Sequence, residues 1–128
     1  MQTIVSLDIG TSIIKCVLFD KKFKQLKIFS EKNIVKYNKL GHSEVSMTKL
    51  WSICKILLIE TIKFSKKNNY NILCIGLTAN MVGLYPIDFN GNPVRKGILW
   101  NDSRTSELMN KIKSKNNRIY EDIFSISG

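Results

Sequence analysis

The stretch VSLDIGTSIIKCVLFD, residues 5–20, decides how the fold is read. An apolar run that alternates with polar residues ends at Asp8, Ile9-Gly10-Thr11-Ser12 follows, and a second β-rich run ends at Asp20. That pattern reads as two antiparallel strands joined by a tight turn. Gly10 permits either a positive φ or a close approach of backbone to a ligand. Thr11 and Ser12 add hydroxyls beside backbone N–H groups, so the turn has the parts of a phosphate cradle. Asp8 is placed to hold Mg²⁺ through water, since Mg²⁺ keeps much of its hydration and takes few carboxylates. The same residues also fit a common hairpin turn in which Asp caps its own backbone. The pentapeptide alone leaves both readings open.

Outward from this hairpin, LKIFSEKNIVKY is extended and less apolar, which suits the edge strand of a three-strand antiparallel meander. KLGHSEV, with Gly41 and the only histidine, His42, reads as a loop. From about 46 to 66, Met47, Leu50, Trp51, Cys54, Leu57, Leu58 and Ile62 recur at helical spacing, with Ser46 as N-cap. Ile53, Ile56 and Ile59 widen the stripe, as in a helix covered on more than one side. The polar KKNNYN ends this helix, and ILCIGLTA, residues 72–79, is a nearly continuous apolar run suited to a strand in a sheet interior. Next, GLYPID and KGILWN flank FNGNP, where Asn90-Gly91 signals a hairpin. The tail from Ser103 reads as one or two polar helices, capped by Asp102 or Ser103.

Composition narrows the function. The chain has 128 residues, enough for one domain with a real core, and its 44% hydrophobic and 23% charged content is that of a globular protein. No apolar run approaches the roughly 20 residues that span a membrane, and MQTIVSLDIG lacks the basic start of a signal peptide, so the expected location is cytoplasmic. Cys16, Cys54 and Cys74 are odd in number and widely spaced, which suits neither a disulfide framework nor zinc; all three read as reduced core residues. The net charge of +10 does not point to nucleic acid, because 17 of the 20 basic residues are lysines scattered along the chain. Neither a P-loop nor a dinucleotide-binding glycine pattern is present, and no nucleophile elbow accompanies His42.

The stretch GLTANMVGLYPIDFNGNPVRKGILWNDSRT, residues 76–105, adds the second motif. With DIGTSIIKCVLFD and GHSEVSMTKLW, the latter carrying Glu44 and Trp51, it makes the chain resemble the N-terminal part of the FGGY carbohydrate kinases, a family that includes xylulokinase, gluconokinase and glycerol kinase. The resemblance covers nearly the whole chain and implies an α/β, actin-like (ribonuclease H-like) ATPase fold. The chain would supply it in part: an antiparallel three-strand meander, a crossover helix, an interior strand, a hairpin and C-terminal helices.

By that resemblance, ATP and Mg²⁺ are the cofactors of the complete enzyme. Asp8 would help position Mg²⁺ and the γ-phosphate, and Gly10, Thr11 and Ser12 would face the ATP phosphates. Asn80, Met81 and Val82 would face the sugar, Trp100 would pack against its apolar face, and Asp102 and Arg104 would shape the entrance. An indole wall with a nearby carboxylate is apt for a polyol. For Trp100 a core aromatic, and for Asp102 a helix cap, are the purely structural readings. Xylulokinases carry Gln-Met-His where Asn80-Met81-Val82 stands, and glycerol kinases carry Arg-Glu at the last two positions, so the expected substrate is a sugar or polyol of no finer definition. Residues 1–128 read as a single partial N-terminal domain, with the rest of that domain and a second domain outside it. The catalytic Asp is expected beyond Gly128, so no catalytic residue is assigned here. The chain then reads as a truncated gene product or as one piece of a split enzyme, inactive alone, and in the split case its partner is a separately encoded C-terminal kinase half. The alternatives are a non-catalytic remnant or partner-binding domain, or a basic nucleic-acid-binding module.

Overall fold

The two β-rich runs of the opening stretch pair with each other. In a computed structural model describing residues 1–127, β1 (Gln2–Ile9) and β2 (Ile13–Asp20) form an antiparallel hairpin with Leu7 opposite Cys16 and Asp8 opposite Lys15. A third strand, β3 (Gln25–Lys32), pairs antiparallel with β2 and completes the meander. Because side chains alternate across a strand, Thr3, Val5 and Leu7 share one face with Ile14, Cys16 and Leu18, and all six are buried.

The sheet face they form is covered by α1 (Met47–Lys67), whose first turn is capped by Ser46 accepting a hydrogen bond from the Lys49 N–H. The helix turns Cys54, Leu57, Thr61 and Ser65 inward, while Trp51 and Ile62, expected on the buried stripe, are exposed. Thr61 tolerates burial because its Oγ1 donates to the Leu57 carbonyl at 2.8 Å and also lies 3.1 Å from Cys16 Sγ. Phe64 meets Phe29 of β3 edge-on at 6.1 Å, which fixes one flank of the helix over that end of the sheet.

The chain leaves α1 and crosses back into β6 (Asn71–Ala79), which lies parallel to β1, giving the order β3-β2-β1-β6. This apolar strand was expected inside the sheet; among the described residues it pairs on one side only. Cys74 is accordingly exposed rather than part of the core, whereas burial pushes the Cys16 and Cys54 thiols up.

A second, smaller sheet joins β4 (Val35–Tyr37), β5 (Ser43–Val45) and β7 (Gly97–Ile98), in the order β4-β5-β7. Residues 43–45 thus form a strand where a loop was expected, with Ser43 and Val45 buried and Glu44 turned outward. The hairpin around Asn90-Gly91 is held by the Asp88 carboxylate, which accepts from the Asn90 and Asn92 N–H groups. Two short helices, α2 (Ser106–Lys115) and α3 (Asn117–Ser127), finish the chain, the first without the expected side-chain cap. No helix among the described residues is long and apolar enough to cross a membrane.

Candidate functional site

The strand ends of β1 and β6 place the two sequence motifs side by side. Parallel pairing sets Asp8 next to Thr78, and one residue past the end of β6 the Asn80 N–H donates to the Ile9 carbonyl at 3.0 Å. The turn Gly10-Thr11-Ser12 therefore adjoins the segment Asn80-Met81-Val82, seventy residues further along the chain. Both lie at the carboxyl ends of parallel strands, where open α/β sheets bind ligands.

Within the turn, Gly10 is required by close approach: a Cβ there would stand 2.6 Å from the Ile13 carbonyl oxygen. The tightness serves the hairpin's own backbone. Asn33 braces the outside of the turn, its N–H donating to the Ser12 carbonyl and its side-chain amide to that of Gly10. The half-buried Asp8 carboxylate and the Thr11 and Ser12 hydroxyls have no side-chain hydrogen bond or ion pair among the described residues. One free carboxylate with two free hydroxyls fits a hydrated Mg²⁺ carried by phosphates, and no cluster of three or more His, Cys, Asp or Glu suited to a metal exists among the described residues.

The second half of the site is an open cavity of about 410 Å³ whose walls include Val82, Leu84, Ile98, Trp100, Asp102 and Arg104. It brings together four of the six residues expected at the sugar site: Val82 to face the sugar, Trp100 to pack against it, and Asp102 and Arg104 to shape the entrance. The other two are not among its walls: Asn80 donates from Nδ2 to the Tyr85 hydroxyl at 2.7 Å, and Met81 is exposed. Val82 sits at φ 59°, a left-handed conformation that is a genuine outlier for a β-branched residue. Such strain persists where surrounding structure imposes it, often at ligand sites. Next to it the Tyr85 ring fills the space that side chains at Gly83 and Gly97 would need.

Trp100 rides on a turn that is bound to β5. The Leu99 N–H donates to the Ser43 carbonyl at 3.0 Å, the Asp102 N–H to the Leu99 carbonyl, and the Ser43 N–H to Asp102 Oδ2 at 2.7 Å. Gly41 extends this seam: its φ of 74° is left-handed, and Ser103 packs against it, donating from both N and Oγ to the Gly41 carbonyl. Arg104 then closes the turn. Its Nε and Nη2 fork onto Asp102 at 2.7 Å each, and Nη2 also reaches Glu44 Oε1 at 2.9 Å. Arg95 and Lys96 add their charges to Glu44. The Arg104 hydrogen bond, with these neighbouring cations, holds the Glu44 carboxyl below its ordinary range; the same guanidinium, helped by the Ser43 and Arg104 N–H groups, holds Asp102 far below it.

Sequence reasoning missed Tyr85 and the structural part played by Glu44 and Ser43. Only the two glycines flanking the Tyr85 ring, and the presence of Glu44 in its motif, signalled them.

Comparison with known proteins places the chain in a family. Residues 3–128 match the model of the FGGY family of carbohydrate kinases, N-terminal domain. The chain is 32% identical over 113 residues to the xylulose kinase of Staphylococcus xylosus, covering 88% of this chain and 23% of that protein. It is 31% identical over 117 residues to the glycerol kinase of Borrelia hermsii, covering 90% and 23%. The structure superposes on xylulose kinase from Lactobacillus acidophilus with a TM-score of 0.81 at 20% identity, over 94% of this chain and 24% of that one. The chain thus spans about a quarter of the length of these relatives. It belongs to the FGGY family of carbohydrate kinases, with residues 3–128 matching the family's N-terminal domain.

Proposed function

We propose that this chain forms one wall of the cleft of an ATP-dependent carbohydrate kinase, which transfers the γ-phosphate of MgATP to a hydroxyl of a sugar or polyol. The observation that carries the reading is the Asn80-to-Ile9 hydrogen bond, which seats the sugar-facing segment against the DIGTS turn. Asp8 holds the metal's water shell, and Thr11 and Ser12 donate to phosphate oxygens. Bound there, Mg²⁺ supplies charge that offsets the charge developing on the transferring phosphoryl group. Val82 and Trp100 bound the apolar side of the sugar.

The proton acceptor for the attacking hydroxyl belongs, in this reading, to polypeptide outside residues 1–128. Phosphoryl transfer depends on positioning and charge stabilisation, so one wall alone does not turn over. In this reading the polypeptide outside residues 1–128 has a surface to dock on. The edge of β6 that is unpaired among the described residues, with its exposed Ile75 and Leu77, is an apolar strip.

The test assays ADP release with D-xylulose, L-xylulose, gluconate and glycerol. The chain is assayed alone and after co-expression with the three quarters of a xylulose kinase relative that this chain does not match. Turnover only in the pair is expected. A soluble, co-purifying pair that is inactive with every substrate would sink the kinase reading.

A further inference from the structure

We infer that Glu44, Arg104 and Asp102 form a clamp that positions Trp100, and that Asp102 serves the cavity by holding its indole wall rather than by bonding a sugar hydroxyl. The naming of Trp100 as that wall rests on the function proposed above; the clamp itself is a matter of hydrogen-bond accounting. A carboxylate offers about four lone-pair sites. Asp102 has all of them occupied: Oδ1 accepts from the Arg104 N–H at 3.0 Å and Nε at 2.7 Å, and Oδ2 from the Ser43 N–H and Arg104 Nη2, both at 2.7 Å. Its side chain is only 3% exposed. No acceptor site remains for a ligand.

Arg104 spends three of its five N–H donors here, its fork on Asp102 and its Nη2 also on Glu44, so its planar guanidinium ties the turn after Trp100 to the outer face of β5. Ser43, one residue before Glu44, is held through both backbone groups to the two ends of that turn, Leu99 and Asp102. Trp100 is the residue immediately after Leu99 and has no ring contact of its own among the described residues; 61% of its surface is exposed. Its position is therefore set by the backbone on either side of it. That backbone is set by the clamp. Glu44 makes no contact with the cavity and acts through Arg104, which is why its place in the motif carries meaning for the site.

The experiment needs no ligand, so it stands or falls independently of the kinase reading. In a Trp51→Phe background, Trp100 is the sole fluorophore of its type. Asp102→Asn, Glu44→Gln and Arg104→Lys are compared by fluorescence anisotropy decay and by amide hydrogen exchange at Ser43, Leu99 and Asp102. Asp102→Asn turns amide donors towards donors. Arg104→Lys keeps the charge but loses the fork. Both are expected to give Trp100 a fast local depolarisation absent from the parent and to speed exchange at the three amides at least tenfold, with α1 amides unchanged. Glu44→Gln is expected to do so more weakly. Should the Asn variant not fold, the Lys and Gln variants carry the test. An indole as immobile as in the parent in every folded variant overturns the clamp, as does Arg104→Lys matching the parent. Chemical shifts of Trp100 on adding D-xylulose to the parent form a separate arm, whose failure counts only against the sugar reading.

Discussion

At the scale of single residues, the site is built from carboxylates in opposite circumstances. Asp8 is half-buried and, among the described residues, unpaired, which leaves its oxygens open to a hydrated cation, whereas the Asp102 side chain is almost wholly covered and saturated. The local sequence shows both as an Asp near a strand or turn and cannot separate them, because the partners that saturate Asp102 include Ser43, 59 residues away. The difference has a pH signature. A carboxyl whose folded pKa is depressed stabilises the protein fully above its unfolded value, about 3.9 for Asp, and that stability is lost as pH falls through the folded value. Glu44 and Asp102 both follow this sense. Asp102→Asn is expected to remove about 2–3 kcal/mol at neutral pH, since each charge-assisted hydrogen bond it forfeits is worth roughly 1.5–3. It should also flatten the acid limb of stability below about pH 4. Thermal melts in steps from pH 7 to 2.5 would show this; a variant whose acid limb runs parallel to that of the parent contradicts the assignment.

At the scale of elements, the β1–β2 hairpin and α1 were legible because each is specified by local rules: period-2 alternation about a glycine turn, and an apolar stripe behind a serine cap. The phase of α1 was less legible. Counting apolar residues favours Trp51 and Ile62, but Thr61 and Ser65 take the inward positions. Thr61 can do so because its hydroxyl bonds to the helix's own Leu57 carbonyl, a satisfaction invisible to a hydropathy pattern. β5 escaped notice because three residues with a charged centre carry almost no strand signal, and its identity comes from pairing with β4 and β7. The helix phase makes a sharp contrast testable. Leu57→Ala, at a fully buried position beneath the sheet, should cost about 2–5 kcal/mol through lost burial and a residual cavity. Ile59→Ala, half exposed on the outer face, should stay within about 0.5 kcal/mol. Urea denaturation resolves the pair, and equal costs would place the helix in the wrong rotation.

At the scale of the whole molecule, the fold leaves its most apolar strand the least covered. ILCIGLTA has the continuous hydrophobicity of a parallel strand buried on both faces, yet among the described residues β6 has β1 on one side, with Ile75 53% and Leu77 69% exposed. The register puts Ile75 and Leu77 on the same sheet face as Val5 and Leu7, the face that α1 covers further across the sheet. A free edge with an apolar face beside it is a template for pairing. Expressed alone, the chain should therefore self-associate as concentration rises. Leu77→Lys should suppress that association while leaving stability within about 0.5 kcal/mol, because an exposed side chain is replaced. Analytical ultracentrifugation across a concentration series reads the first effect and a thermal melt the second. The same substitution should weaken co-purification with the complementing kinase polypeptide, since both occupants need the same strip. If self-association fell while capture of that polypeptide stayed intact, the strip would not be where the rest of the kinase sits.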